Sequence, residues 1–184
     1  LSDVLPTTQA RATAAMVPRV LEDMFWFGRY AERAEDMLRL VLAAHASAED
    51  NGTRPHTAGG ASLAVLLDAI TRLSESPFEP DRLDANFRSL LLDRGRAGSV
   101  AESVSSLREA AQSVRDQLSP DVWHAFSSTE RASAALASYH YSHQVSESAS
   151  RMLTGILSLQ GVTANMMRDP GWRMISAGRA VERG

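Results

Sequence analysis

The residues with the most chemical potential stand in two short stretches, "GRYAER" from Gly28 to Arg33 and "GRAVER" from Gly178 to Arg183. In each, Gly precedes Arg, and Glu-Arg follows three and four residues after that first Arg. On a helix this spacing stacks the two guanidinium groups one turn apart with the carboxylate beside them. Two such helices facing each other can exchange bidentate Arg–carboxylate hydrogen bonds, a geometry that Lys cannot reproduce. Paired internally, the groups form a half-buried ion network that fixes helix register. Such a network brings specificity more dependably than stability, because desolvation offsets much of the attraction. Left open, Arg29, Arg33, Arg179 and Arg183 would instead line a cleft for phosphate or carboxylate anions. Gly28 removes a side chain beside Arg29, where a neighbouring backbone could approach at a cost of about 1 kcal/mol in helix propensity. Four identities in six matched positions suggest internal duplication.

Other groups carry less. His140, His143 and Glu147, with Arg151, share one polar helical face, and two imidazoles and a carboxylate at that spacing could begin a metal site. No His-Glu-x-x-His or Glu-x-x-His pattern accompanies them, so a solvated polar stripe is expected and no metal is assigned. Arg108 and Arg115 lie two turns apart with Glu102, Glu109 and Asp116 nearby; surface pairing is expected, and joining the same anion pocket is the alternative. "DRGRAGS" leads into a helix N-terminus but lacks the Gly-Lys-Ser/Thr ending and preceding strand of a nucleotide loop. No serine has a recognisable base, so catalytic residues stay unassigned. Trp26, Trp123 and Trp172 read as core anchors.

The elements that must position these groups are helices. Apolar residues recur at three- and four-residue steps from Val20 through Phe27, Ala31, Ala34 and Leu38 to His45, one buried face. A second seam of the same helix, with Glu22, Trp26, Arg29, Arg33, Asp36, Met37 and Leu40, mixes aromatic and charged groups, which marks a central helix. Asn51-Gly52 ends it and "NGTRPHTAGG" is a loop. Helices are predicted over about 61–74 and 80–92. Another starts at a Ser99/Glu102 capping box and ends near Gln117, and Ser119-Pro120 starts a further one. The Ser127/Glu130 pair predicts a long helix from about 129 to 159, with a small-residue stripe of Ala135, Ser138, Ser142, Ser146 and Ala149 that lets a neighbour come close. Asp169-Pro170 opens the last helix. No stretch alternates as a strand would. The fold class is all-α, an elongated bundle of five to seven helices.

The bulk properties agree. The chain has 184 residues, 44% of them hydrophobic and 22% charged, which suits one globular domain or one domain with a tail. Residues 1–17 lack a sustained period and read as a linker or docking tail, leaving 18–184 as the domain. Net charge is −3 and no basic cluster occurs, which argues against a nucleic-acid surface. No apolar run is long enough for a membrane span. The absence of cysteine excludes disulfides and thiolate chemistry. A cytoplasmic protein is expected, with homo-oligomerisation left open.

"VPRVLEDMFWFGRYAERAEDMLRL", "SVAESVSSLREAAQSVRDQLSPDVWHAF" and "MMRDPGWRMISAGRAVER" together resemble the bacterial alpha-E family, named for its helical content and Glu-Arg motif. The resemblance covers about 18–184. It implies the motif residues Gly28, Arg29, Glu32 and Arg33, then Gly178, Arg179, Glu182 and Arg183, with Arg108, Glu109 and Arg115 from the middle segment. It implies a domain that continues past the second Glu-Arg, so that this chain is truncated within its last helix. It also implies a partner, an ATP-grasp-type ligase fused to the domain or encoded beside it, active in amide-bond or peptide synthesis. ATP and magnesium are implied for that partner only, with a peptide as candidate substrate and no cofactor in the helical domain. A non-catalytic module positioning the partner or its substrate is the function expected; direct binding of an anionic substrate between the two Glu-Arg motifs is the alternative.

Overall fold

The computed structural model describes residues 18–51, 57–138, 143–165 and 170–184. Among these are seven α-helices: α1 (Pro18–Asn51), α2 (Ala58–Ser74), α3 (Leu83–Leu92), α4 (Val100–Ser113), α5 (Asp121–Ser138), α6 (His143–Ala164) and α7 (Pro170–Glu182). Single 3-10 turns at Pro80–Arg82 and Arg115–Gln117 complete them, with no strand among the described residues. The all-α expectation holds. The tail expected over 1–17 lies outside the described residues.

The 34 residues of α1 rise about 50 Å, and α2, α4, α6 and α7 all pack along it. The predicted apolar face is buried: Met24, Phe27, Ala31, Ala34, Leu38 and Val41 are almost free of solvent. Met37 is buried as well, although it belongs to the mixed seam, because helices cover α1 on more than one side. That enclosure is what forces Glu32 and Glu35 out of water. Phe87 from α3, Leu107 from α4, Phe126 and Leu136 from α5, Met152 and Ile156 from α6, and Ile175 from α7 complete one shared core.

Local chemistry sets the helix ends. Thr57 Oγ1 accepts from Gly60 N at 3.1 Å, so α2 begins three residues ahead of the expected position. Ser99 Oγ accepts from Glu102 N at 3.0 Å, as the capping box requires, but the Glu102 carboxylate accepts from Gly98 N instead of the cap's own N–H.

One expectation is corrected. The predicted helix over 129–159 is divided, α5 ending at Ser138 and α6 beginning at His143. Ser127 is no cap; it lies inside α5 and donates to Trp123 O at 2.9 Å, one turn back. The two helices fold into a hairpin, Gly155 of α6 lying against Ala125 and Thr129 of α5. Each covers the other's apolar stripe, which one straight rod could not do.

Candidate functional site

The two glycines of the repeated motif mark where α1 and α7 cross. A Cβ built on Gly28 would lie 2.0 Å from the carbonyl oxygen of Ile175, and one built on Gly178 would lie 2.0 Å from that of Phe25. Ile175 and Phe25 each stand three residues ahead of the partner glycine, so the contact is reciprocal. Gly28, Arg29, Glu32 and Arg33 each face the neighbourhood of their counterparts 150 positions later, which means the helices run in the same direction across a local two-fold. Only hydrogen at Cα permits backbones this close.

The crossing delivers the charged groups to one another one turn further on. Glu182 accepts from Arg29 Nε at 2.7 Å on Oε2 and from Arg33 Nε at 2.7 Å on Oε1. Glu32 repeats this, accepting from Arg179 Nε at 2.7 Å on Oε2 and from Arg183 Nε on Oε1. Each carboxylate is thus clamped by two guanidinium groups from the opposite helix. The Glu32 side chain is 3% exposed, that of Glu182 12%. Arg29 also lies 5.3 Å from the Trp26 ring centroid, and Trp26 stacks on Tyr30, so an aromatic pair backs one guanidinium of the network. All 19 basic residues of the chain are arginines.

The network reaches α6 through residues that sequence reasoning missed. Arg179 Nη2 donates to Gln160 Oε1 at 3.1 Å, and Gln160 Nε2 donates to Glu35 Oε2 at 2.8 Å. Arg39 Nε closes the chain on Glu35 Oε1 at 2.8 Å. The available signal was a lone amide, Gln160, beside Leu159 and one turn from Ile156 on an otherwise apolar stripe. Buried amides of that kind need partners.

Electrostatics follow the geometry. Burial pushes the carboxyls of Glu32 and Glu182 upward, but hydrogen bonds and charge from their guanidinium pairs outweigh it and hold both below the ordinary carboxylate range. Arg33 and Arg183 are raised by the same partners. Asp36 moves the other way, raised by burial and then by the negative charge of Glu32 and Glu35.

The signs give two predictions. Carboxyls depressed in the folded state add stability that is present above their unfolded pKa, about 4.5, and lost as pH falls through the folded values. Thermal melts below about pH 4 should therefore show a marked fall in stability that shrinks in Glu182→Gln; an acid loss of undiminished size in that variant refutes the link. Asp36, raised, costs stability once ionised. Asp36→Asn should raise stability at neutral pH by up to about 1 kcal/mol, and the gain should vanish in acid, where both side chains are neutral. A neutral-pH melt no higher than wild type contradicts this.

A cavity of about 380 Å³ adjoins the network, between α1, α2, α7 and the turn before α4. Four carboxylates line it (Asp36, Glu75, Glu102 and Glu182) against the guanidiniums of Arg33 and Arg72, so its balance is negative. The other candidates are dispersed. Arg108 pairs with Glu130 of α5 and lies 5.8 Å from the Phe126 ring, lining a different cavity, and Arg115 is exposed in the second 3-10 turn. Neither lines the network's pocket; α4 turns Arg108 toward α5. In the "DRGRAGS" loop, Gly95 N donates to Asp93 Oδ1 and Gly98 N to Glu102 Oε2, so those amides are occupied by carboxylates. His140 and the side chain of His143 lie outside the described residues, and Glu147 pairs with Arg151. Among the described residues no group of three or more His, Asp or Glu could hold a metal ion, and no helix is long and apolar enough to cross a membrane.

Comparison with known proteins finds a family of helical character that carries the Glu-Arg motif. The model of a family described as a predicted alpha-helical domain with a conserved ER motif matches residues 16–184. An uncharacterised protein of Mycobacterium tuberculosis is 36% identical over 195 residues, covering 96% of this chain, and one of Mycobacterium bovis is 35% identical over the same span. The chain spans 22% of the length of these curated relatives. No solved structure matches it significantly.

Proposed function

The chain belongs to the Alpha-E family, and on that premise we propose that it is a non-catalytic helical module of an amide- or peptide-bond-forming system, holding an ATP-grasp-type ligase or its substrate in place. The observation that carries this reading is the reciprocal clamp of Glu32 and Glu182. It uses the guanidiniums of Arg29, Arg33, Arg179 and Arg183 to join the first long helix to the last, each committed to a carboxylate of the opposite helix. A rigid joint of this kind suits a positioning element. The length of the relatives supports a partner, since most of each lies outside the region this chain matches. ATP and magnesium belong to that partner. The anion-cleft alternative receives less support, because the cavity beside the clamp carries more carboxylates than guanidiniums.

The test mixes the purified chain with the ATP-grasp-type protein encoded beside or fused to such a domain. A stable complex on size-exclusion chromatography, with ATP-dependent amide formation that depends on the chain, is expected. Absence of a complex at micromolar concentrations together with unchanged ligation ends the reading. A rise in melting temperature with inorganic phosphate, lost in Arg33→Ala, would favour the anion cleft instead.

A further inference from the structure

A second cavity, of about 440 Å³, shares no lining residue with the Glu-Arg centre. Its volume falls in the range of about 300–1,000 Å³ usual for small-ligand sites. It runs along α4, whose residues from Val100 to Gln112 line one wall and span about 18 Å at the helical rise. Thr129, Glu130 and Ser133 of α5 form the facing wall. The floor is apolar and fully buried, made by Leu91, Val100 and Met152. With Arg108 counted beside the two glutamates, the net charge still reverses along its length, positive at Arg94 and negative at Glu109 and Glu130. Arg94 comes from the turn before α4, whereas Glu109 and Glu130 stand two or more turns along the helix pair. Between the walls Arg108 and Glu130 are joined as an ion pair, their side chains 39% and 49% exposed.

We propose that this groove binds a short apolar peptide with free termini, three or four residues long. An extended chain advances about 3.3 Å per residue, so four residues occupy most of the groove. The carboxylate of the peptide meets Arg94 and its ammonium meets Glu109 and Glu130, while the apolar side chains rest on Leu91 and Met152. Ser105, Ser133 and Gln112, on the two walls, offer hydroxyls and an amide to the peptide backbone. An exposed ion pair such as Arg108–Glu130 is worth only about 0–1 kcal/mol, so sharing Glu130 with an ammonium costs little. A peptide with one terminus capped leaves one end of the groove without its opposite charge. The inference stands apart from the ligase reading, since either can fail while the other survives.

Isothermal titration calorimetry of the 184-residue chain with the tripeptide Ala-Leu-Ala, its N-acetyl form and its C-terminal amide tests the proposal. Binding of the free peptide is expected, with each capped form weaker by about tenfold, the loss of one charge contact worth about 1.4 kcal/mol. Arg94→Ala should weaken the free peptide by a similar factor yet leave the amide unaffected, and Glu109→Gln should do the same for the free and N-acetyl forms. Both positions are exposed, so neither change threatens the fold. No heat at millimolar peptide overturns the proposal, as does equal binding of free and capped forms. Binding that both variants leave unchanged places the peptide elsewhere and also overturns it.

Discussion

Replacing Gly28 or Gly178 by Ala should lower stability by about 2–3 kcal/mol and loosen α7 from α1, although Gly→Ala inside a helix normally stabilises by about 1 kcal/mol. The reason is geometric. The added methyl would sit 2.0 Å from a backbone carbonyl oxygen, Ile175 in one case and Phe25 in the other, and a carbonyl in a helix cannot rotate aside as a side chain can. The helices must separate, which also pulls the guanidiniums away from Glu32 and Glu182. Once undocked, the 13 residues of α7 in this chain are marginal as an isolated helix. Urea unfolding with far-UV circular dichroism measures both effects. The double variant should lose less than the two single losses combined, since the first substitution already opens the crossing. Gly161 in α6 is the control: a Cβ there meets nothing within 4 Å, and Gly161→Ala should raise stability by up to about 1 kcal/mol. If Gly28→Ala behaves like Gly161→Ala, the close crossing is wrong.

The second large effect is expected at Glu32. Glu32→Ala should cost about 3–5 kcal/mol, the penalty for breaking a buried pair. The carboxylate is only 3% exposed, and its loss leaves Arg179, itself 20% exposed, with its charge facing Gln160 and a carboxylate oxygen of Glu35 at 4.0 Å. Arg183 contributes less, being 58% exposed and free to turn to water. Glu182→Ala should cost less than Glu32→Ala, because Arg29 and Arg33 are better hydrated at 25% and 37%. Adding Arg179→Ala to Glu32→Ala should recover part of the loss, the mark of an orphaned charge as distinct from a cavity. Equal costs at Glu32 and Glu182 would show that burial does not set the scale here. In either variant, reduced assembly with the proposed partner while the remaining helices stay folded would tie the joint to positioning.

Periodicity made the helices legible because each apolar step of three or four residues needs only the chain's own 3.6-residue repeat. The face from Met24 to Val41 therefore falls where the sequence places it. Ends were legible where a side chain caps locally, as Ser99 does, and less so where the signal was ambiguous. Ser127-x-x-Glu130 matches a capping box yet sits inside α5, because the same hydroxyl can bond the carbonyl one turn back. The break between α5 and α6 has no Pro or Gly within residues 139–142 to announce it.

For the candidate site, the repeated Gly-Arg-x-x-Glu-Arg stated which groups could pair and that their helices could come close. The sequence by itself determined the chemistry: a carboxylate between two guanidiniums on each helix, and a glycine at each crossing point. Only the tertiary structure decided that the two copies pair with each other in parallel, that Gln160 and Glu35 extend the clamp, and that Arg108 turns to Glu130 instead. Helical spacing is a property of neighbours in the chain. Which faces meet depends on how α2, α4 and α6 pack along α1 and leave it a side for α7, and no local pattern encodes that.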